Sequence, residues 1–299
     1  MQDDIAAIIA DVPPLSGWQG SAQRLGGLTN RVYRLGDAIL RVPGEGTAAY
    51  IDRAAEAVAA EAAAKAGVSP DVLYVNTTTG IMVTRHIDGS TTMTPHGFRS
   101  RPGAPARAAQ ALRQLHHSGQ TFPTRFELFA MIDEYLRLLS GTDVALPQGY
   151  HGVVAEAEAV RVALARSPAP LVPCHCDPLC ENFLDTGSRM WIVDWEYAGM
   201  NDPMWDLGDL SVEAEFDAAQ DAALLAAYFN GAAPPQDVAR MVIYKAMCDL
   251  LWTLWGLIQH ANGNPAEDFQ AYADTRFARC RALMASPDFA HHLACLHRA

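Results

Sequence analysis

Cys174 to Glu196 reads CHCDPLCENFLDTGSRMWIVDWE. His175, Asp177 and Asn182 stand in the spacing H-x-D-x-x-x-x-N, and Asp194 follows after a short apolar run. Leu171-Val172 ahead of this stretch and Met190 to Val193 within it predict short buried strands, with Asp185-Thr186-Gly187-Ser188 as the turn between hairpin arms. Three oxygen-bearing side chains then sit at strand and loop ends facing one cleft. Singly, each has an ordinary reading: Asp177 before Pro178 as a turn former, Asn182 as a helix cap, Asp194 as a solvated strand end. Their joint spacing is what argues for chemistry.

Transfer of a phosphoryl group from a nucleotide needs a carboxylate to orient the acceptor hydroxyl and accept its proton, plus two oxygen ligands for the Mg²⁺ that rides on the phosphates. Asp177 fits the first role, and Asn182 and Asp194 the second. This is the layout of a kinase catalytic loop, which makes His175 a further catalytic candidate. Cys174, His175, Cys176 and Cys180 raise the alternative of zinc, but structural zinc draws on two separated ligand pairs and the chain has no second pair. The cysteines are expected to pack the underside of the loop.

The stretch resembles the motif shared by choline and ethanolamine kinases and aminoglycoside phosphotransferases, which have a protein-kinase-like fold. Protein kinases carry Arg where Cys176 stands and Asp-Phe-Gly where Asp194-Trp195-Glu196 stands, so both departures favour the small-molecule branch. The resemblance implies ATP and Mg²⁺.

The rest of the chain agrees with an enzyme of that class. Its 299 residues are 50% apolar, enough to bury a large core in two lobes. A net charge of −12 with scattered basic residues argues against a nucleic-acid partner and favours a cationic substrate. Met1-Gln2-Asp3-Asp4 lacks the basic-then-apolar order of a signal peptide, and the apolar run from Leu250 to Ile258 is about half the ~20 residues that span a bilayer. Cysteines without disulfide-like spacing suit a reducing compartment. The expectation is a cytoplasmic protein with no membrane insertion.

Residues 1 to 12 predict a short helix, and Ala22–Leu25, Arg31–Leu35 and Ala38–Val42 predict antiparallel strands. The turn Gly26-Gly27-Leu28-Thr29-Asn30 offers backbone N–H groups to phosphate, although without the G-x-G-x-x-G pattern. GGLTN, a strand and then LRVPG resemble the nucleotide-binding start of choline kinases, which makes Gly27, Thr29, Asn30 and Arg41 nucleotide contacts. A helix is expected from Ala48 to Ala66, with Glu56 the candidate to pair Arg41 and Glu61 the alternative, and two more strands at Val72–Val75 and Ile81–His86. Thr84 to Gly89, with Arg85 and Ile87, is the expected hinge against adenine. The fold class is therefore α+β and bilobal: a small five-stranded antiparallel lobe with one helix (1–89), and a mainly helical lobe (90–299).

Ser90 to Pro105 reads as a linker. Helices follow at Ala106–His117, Arg125–Leu139 and Gly152–Arg166, the first ended by His116-His117, where a cation meets the helix dipole. Past the motif, another helix starts at Asp202, and from Gln220 onward the pattern is helical almost throughout. The resemblance gives Asp206 the task of buttressing the catalytic loop. It also implies an acceptor pocket of Tyr197, Glu213, Trp252, Trp255 and Tyr272, residue types that hold quaternary ammonium groups by cation-π contact. The expected activity is ATP- and Mg²⁺-dependent phosphorylation of choline. The alternatives are an ethanolamine kinase, an aminoglycoside kinase, or a pseudokinase that only binds nucleotide or amine.

Overall fold

The alternation of Leu40, Arg41 and Val42 decides how the sheet is used. In a strand, successive side chains point to opposite faces, so Leu40 and Val42 go to one core while Arg41 goes to the other side. The computed structural model describes residues 2–27, 29–44, 47 and 51–296. Leu28 of the glycine turn, residues 48–50 of the expected helix, Met1 and the last three residues lie outside them.

Helix α1 (Gln2–Asp11) is followed by β1 (Gln23–Arg24), β2 (Arg31–Leu35), β3 (Ala38–Val42), α2 (Arg53–Lys65), β4 (Val72–Val75) and β5 (Met82–Arg85). The strands form an antiparallel sheet in the order β1-β2-β3-β5-β4, with Leu35 opposite Ala38 at the β2–β3 hairpin. Ile5 and Ile9 of α1 cover one face, packing with Leu35, Leu40, Val42 and Val83. Helix α2 is capped by Asp52, which accepts from the Ala54 and Ala55 N–H groups. Its alanines, Ala59 to Ala63 among them, join the larger core of the helical region together with Met82. That core therefore reaches across the expected boundary at residue 89.

Ser90 to Pro105 is not a bare linker. It forms β6 (Thr91–Thr92) and α3 (Pro95–Ser100), capped by the Thr94 hydroxyl. Next come α4 (Ala104–His116), α5 (Leu128–Leu139), α6 (Tyr150–Arg166), β7 (Val172–Cys174), β8 (Phe183–Asp185), β9 (Met190–Ile192) and β10 (Gly199–Asn201). Strands β8 and β9 form the expected hairpin, and β6 adds to its edge. β7 pairs instead with β10, a strand the sequence does not announce.

Five helices complete the described residues: α7 (Pro203–Glu213), α8 (Ala218–Phe229), α9 (Pro235–Ala261), α10 (Phe269–Met284) and α11 (Pro287–Leu296). Helix α9 is long and apolar enough to cross a membrane by length and composition alone, and 83% of its most apolar window is buried inside the protein. It packs against α7 and α10. The α10 contact is close because a Cβ at Gly256 would lie 2.6 Å from the Tyr272 ring.

Candidate active site

Between β7 and β8 the chain makes an unusual turn, with Cys176 at φ +67°. A non-glycine residue there costs roughly 1–3 kcal/mol, and surrounding contacts must hold it. Asp206, fully buried in the first turn of α7, accepts the N–H groups of His175 and Cys176, each at 2.8 Å. Trp205 adds an indole N–H to the Cys176 carbonyl at 3.0 Å. His116 is not exposed at the helix end. It is buried, with Nε2 2.9 Å from Asp206 and Nδ1 2.8 Å from the Tyr228 hydroxyl. A carboxylate only accepts, so Nε2–H donates and fixes the Asp206 carboxylate from behind.

The motif makes His175 a catalytic candidate, and here the structure corrects it. The ring is fully buried and does not line the cavity. Its Nε2–H donates to the Val193 carbonyl at 2.9 Å, and its Nδ1 faces the Asp177 N–H at 3.3 Å. Burial lowers its pKa despite nearby Asp206, which suits one neutral tautomer making both bonds. His175 ties the catalytic loop to the strand that delivers Asp194.

Asp177, Asn182 and Asp194 line one cavity of about 470 Å³. Asn182 Nδ2 donates to the Asp177 carbonyl at 2.9 Å, which fixes the amide and leaves Oδ1 as its acceptor. Asp194 sits at φ +68°, a second left-handed residue in the motif. Burial, with Asp194, Glu213 and Glu196 nearby, raises the Asp177 carboxyl well above the ordinary range against the pull of Arg276. Burial and Glu196 push Asp194 up to about 7, with Arg41 opposing.

Arg41 of β3 forms an ion pair with Glu56 of α2, the partner expected of it, and reaches Asp194 at 3.1 Å and Glu196 at 3.3 Å. Arg53, which the sequence did not single out, bonds Glu56 at 2.9 Å and Glu196 at 2.5 Å. Glu56, Asp194 and Glu196 each bring a carboxylate oxygen within 4.8 Å of the others. Arg41 Nη1 meets all three, so a guanidinium already sits among these carboxylates; the oxygen donors that line the cavity and suit a divalent cation such as Mg²⁺ are Asn182, Asp194 and Glu196.

On the sheet side, Gly27, Thr29 and Asn30 line the same cavity. Gly27 has φ +116° and would place a Cβ 2.2 Å from the Asn30 carbonyl, so only glycine fits the turn. Asn30 is buried with no partner for Oδ1 among the described residues, a polar group suited to a bound ligand. Arg41 and Glu56 stand behind the cavity wall. Arg85 and Ile87 do not line it: the Arg85 side chain is exposed and pairs with Asp71 at 3.2 Å, because it ends a strand on the sheet's outer side.

Tyr197, Glu213, Trp252, Trp255 and Tyr272 all line the cavity opposite the glycine turn. Tyr197 meets Trp252 edge-on at 5.2 Å, and Trp255 tilts against Tyr272 at 5.6 Å. Trp252 also donates its indole N–H to buried Asp209 at 3.1 Å. Glu213 is not a bare carboxylate: Arg276 holds it at 2.5 Å, lies 4.4 Å over the Tyr272 ring and lines the cavity as well. Arg276 went unread in the sequence, although it follows Tyr272 by one helical turn and so shares its face.

A glycine-turned antiparallel sheet over a helical lobe, with an acceptor carboxylate and metal-suited carboxylates in the cleft between them, defines a small-molecule kinase that phosphorylates an alcohol group. Residues 21–244 match the Phosphotransferase enzyme family. The chain belongs to that family and, within it, to the choline/ethanolamine kinases. The crystal structure of a choline/ethanolamine kinase family protein from Mesorhizobium loti is 64% identical, with a TM-score of 0.92 over 100% of this chain and 99% of that one. The choline kinase LicA from Streptococcus pneumoniae is 26% identical, with a TM-score of 0.80 over 94% and 99% of the two chains. A LicA structure in complex with AMP is 25% identical, with a TM-score of 0.78 over 94% and 97%.

Proposed function

We propose that this kinase transfers the γ-phosphoryl group of ATP to the hydroxyl of choline, giving phosphocholine and ADP. The observation that carries the reading is the convergence of Tyr197, Trp252, Trp255 and Tyr272 on the cavity that Asp177 lines. A trimethylammonium group has no N–H to donate, so aromatic faces, backed by carboxylates, are its natural wall.

Asp177 orients the choline hydroxyl and takes its proton as the oxygen attacks phosphorus. Its raised pKa makes it a better proton acceptor than a surface aspartate. Asn182 and Asp194, with Glu196 beside them, hold Mg²⁺, which when bound neutralises phosphate charge. Gly27, Thr29 and Asn30 receive the phosphates. Arg41 serves chiefly to set the spacing of the Asp194 and Glu196 carboxylates from α2. An ethanolamine acceptor is the second reading, favoured by Glu181 and Glu267 at the same end of the cavity, which can accept N–H groups.

The test is ADP release measured with choline, dimethylethanolamine, ethanolamine and an aminoglycoside panel. The reading predicts that kcat/KM falls in that order. Equal rates with all amines, or a preference for aminoglycosides, would remove it.

A further inference from the structure

A second, more open hollow of about 340 Å³ adjoins the acceptor end of the cavity. The two spaces share Glu213, Glu267, Tyr272 and Arg276, so these side chains form the wall between them. Arg276 is the best fixed of the four. One arm of its guanidinium meets Glu213 at 2.5 Å, the other meets buried Asp249 at 3.2 Å, and its plane covers Tyr272. Both partners of the Glu213 pair are buried, at 9% and 6% side-chain exposure. Water therefore competes little for that carboxylate.

The consequence bears on which ammonium group the enzyme accepts. Ethanolamine's ammonium carries three N–H donors that need acceptors once they leave water, whereas choline's trimethylammonium carries none. A carboxylate already engaged by a guanidinium is a poor acceptor for a new donor, so ethanolamine's N–H groups are left to the other carboxylates of the cavity, Glu181 and Glu267, and are penalised wherever they meet aromatic faces instead. Resting on the choline reading above, we propose that Arg276 is a specificity-determining residue: it closes the ammonium end of the cavity and withholds Glu213 from substrate N–H groups.

Arg276→Gln is a usable probe because Asp249 keeps a bidentate partner in Arg279, at 2.6 and 2.7 Å, when Arg276 is lost. The ratio of kcat/KM for choline to that for ethanolamine should fall by roughly tenfold or more, through a gain on ethanolamine, since a charge-assisted hydrogen bond becomes available. The KM for ATP should stay at its wild-type value. Glu213→Gln provides a second probe independent of how Arg276→Gln folds: because the carboxylate is already withheld, both amines should lose activity together and the ratio should stay within about twofold. A folded Arg276→Gln enzyme with the wild-type ratio overturns the proposal, as does a Glu213→Gln enzyme that loses ethanolamine selectively. A wild-type enzyme that releases ADP with neither amine would sink the choline reading and this inference with it. A wild type that uses choline while Arg276→Gln leaves the ratio unmoved refutes only the role of Arg276.

Discussion

Asp177 and Asp194 are carboxylates in one cavity with different neighbours, and those neighbours assign their work. Asp177 has the charges of Asp194, Glu213 and Glu196 near it with Arg276 opposing them, while Arg41 touches Asp194 directly. Asp177→Asn keeps the shape and removes the proton acceptor, so kcat should fall by ~10² or more while the KM for ATP holds, as expected of general-base loss. Steady-state kinetics check this, and retained turnover would move the base elsewhere. Asp177, Asn182 and Asp194 could be read from sequence because their spacing is local. Arg276 and Asp209 could not, since each takes its meaning from partners on helices far away in the chain, and Arg53 could not because its bond to Glu196 crosses more than a hundred residues. Glu213 was legible as a carboxylate near the acceptor, but its ion pair with α10 was not.

Short elements carry the catalytic loop, and they are where sequence patterns are weakest. β6 and β10 have two and three residues, too few for any periodicity, and exist because β8 and β7 offer them edges. The β8–β9 hairpin is in turn anchored by Asp185, which accepts from Arg107 at 2.7 and 2.8 Å and from Arg101 at 2.7 Å. Burial would raise this carboxyl, but the bonds from Arg107 and Arg101 outweigh it and hold the pKa at about 2. A depressed acid contributes stability that is present above its unfolded pKa and is lost as pH falls through its folded pKa. Asp185→Asn should therefore cost ~1.5–3 kcal/mol of stability at pH 7, from the loss of charge-assisted bonds, and lower the melting temperature there, with the gap from wild type closing as pH falls from about 4 to 2. Thermal melts across that range are the check; a gap independent of pH would mean the charge is irrelevant.

The contact between α9 and α10 yields a second prediction at the same scale. Gly256→Ala gains up to ~1 kcal/mol of helix propensity but must displace the Tyr272 ring. The KM for choline should rise by roughly tenfold, a large part of a ~2 kcal/mol cation-π contact, with the KM for ATP unchanged. Kinetics on both substrates decide it, and an unaltered choline KM would take Tyr272 out of the acceptor wall.

At the scale of the whole molecule, the two-lobed plan and its five-stranded antiparallel sheet were legible, because strand and helix periods differ and the catalytic motif marks where they meet. The division of the core was less so: α2 packs on β4 of the first lobe, yet its alanines and Met82 belong to an apolar core continuous with that of the second. That arrangement lets Glu56 on α2, Arg41 on the sheet and Asp194 at the catalytic stretch meet in one network. The acidic balance of the chain, −12 overall, is concentrated usefully where Asp177, Glu181, Asp194, Glu196 and Glu267 ring a cavity walled by aromatic side chains. Such a cavity attracts cations, and the choline reading has it prefer one that needs no hydrogen bonds. A competition makes that preference directly measurable: equal choline and ethanolamine in one reaction with limiting ATP and Mg²⁺, and the two phosphorylated products quantified by mass spectrometry. Phosphocholine should exceed phosphoethanolamine by at least roughly tenfold, the ratio set by a little over 1 kcal/mol of differential binding. Phosphoethanolamine in equal or greater amount would contradict the account.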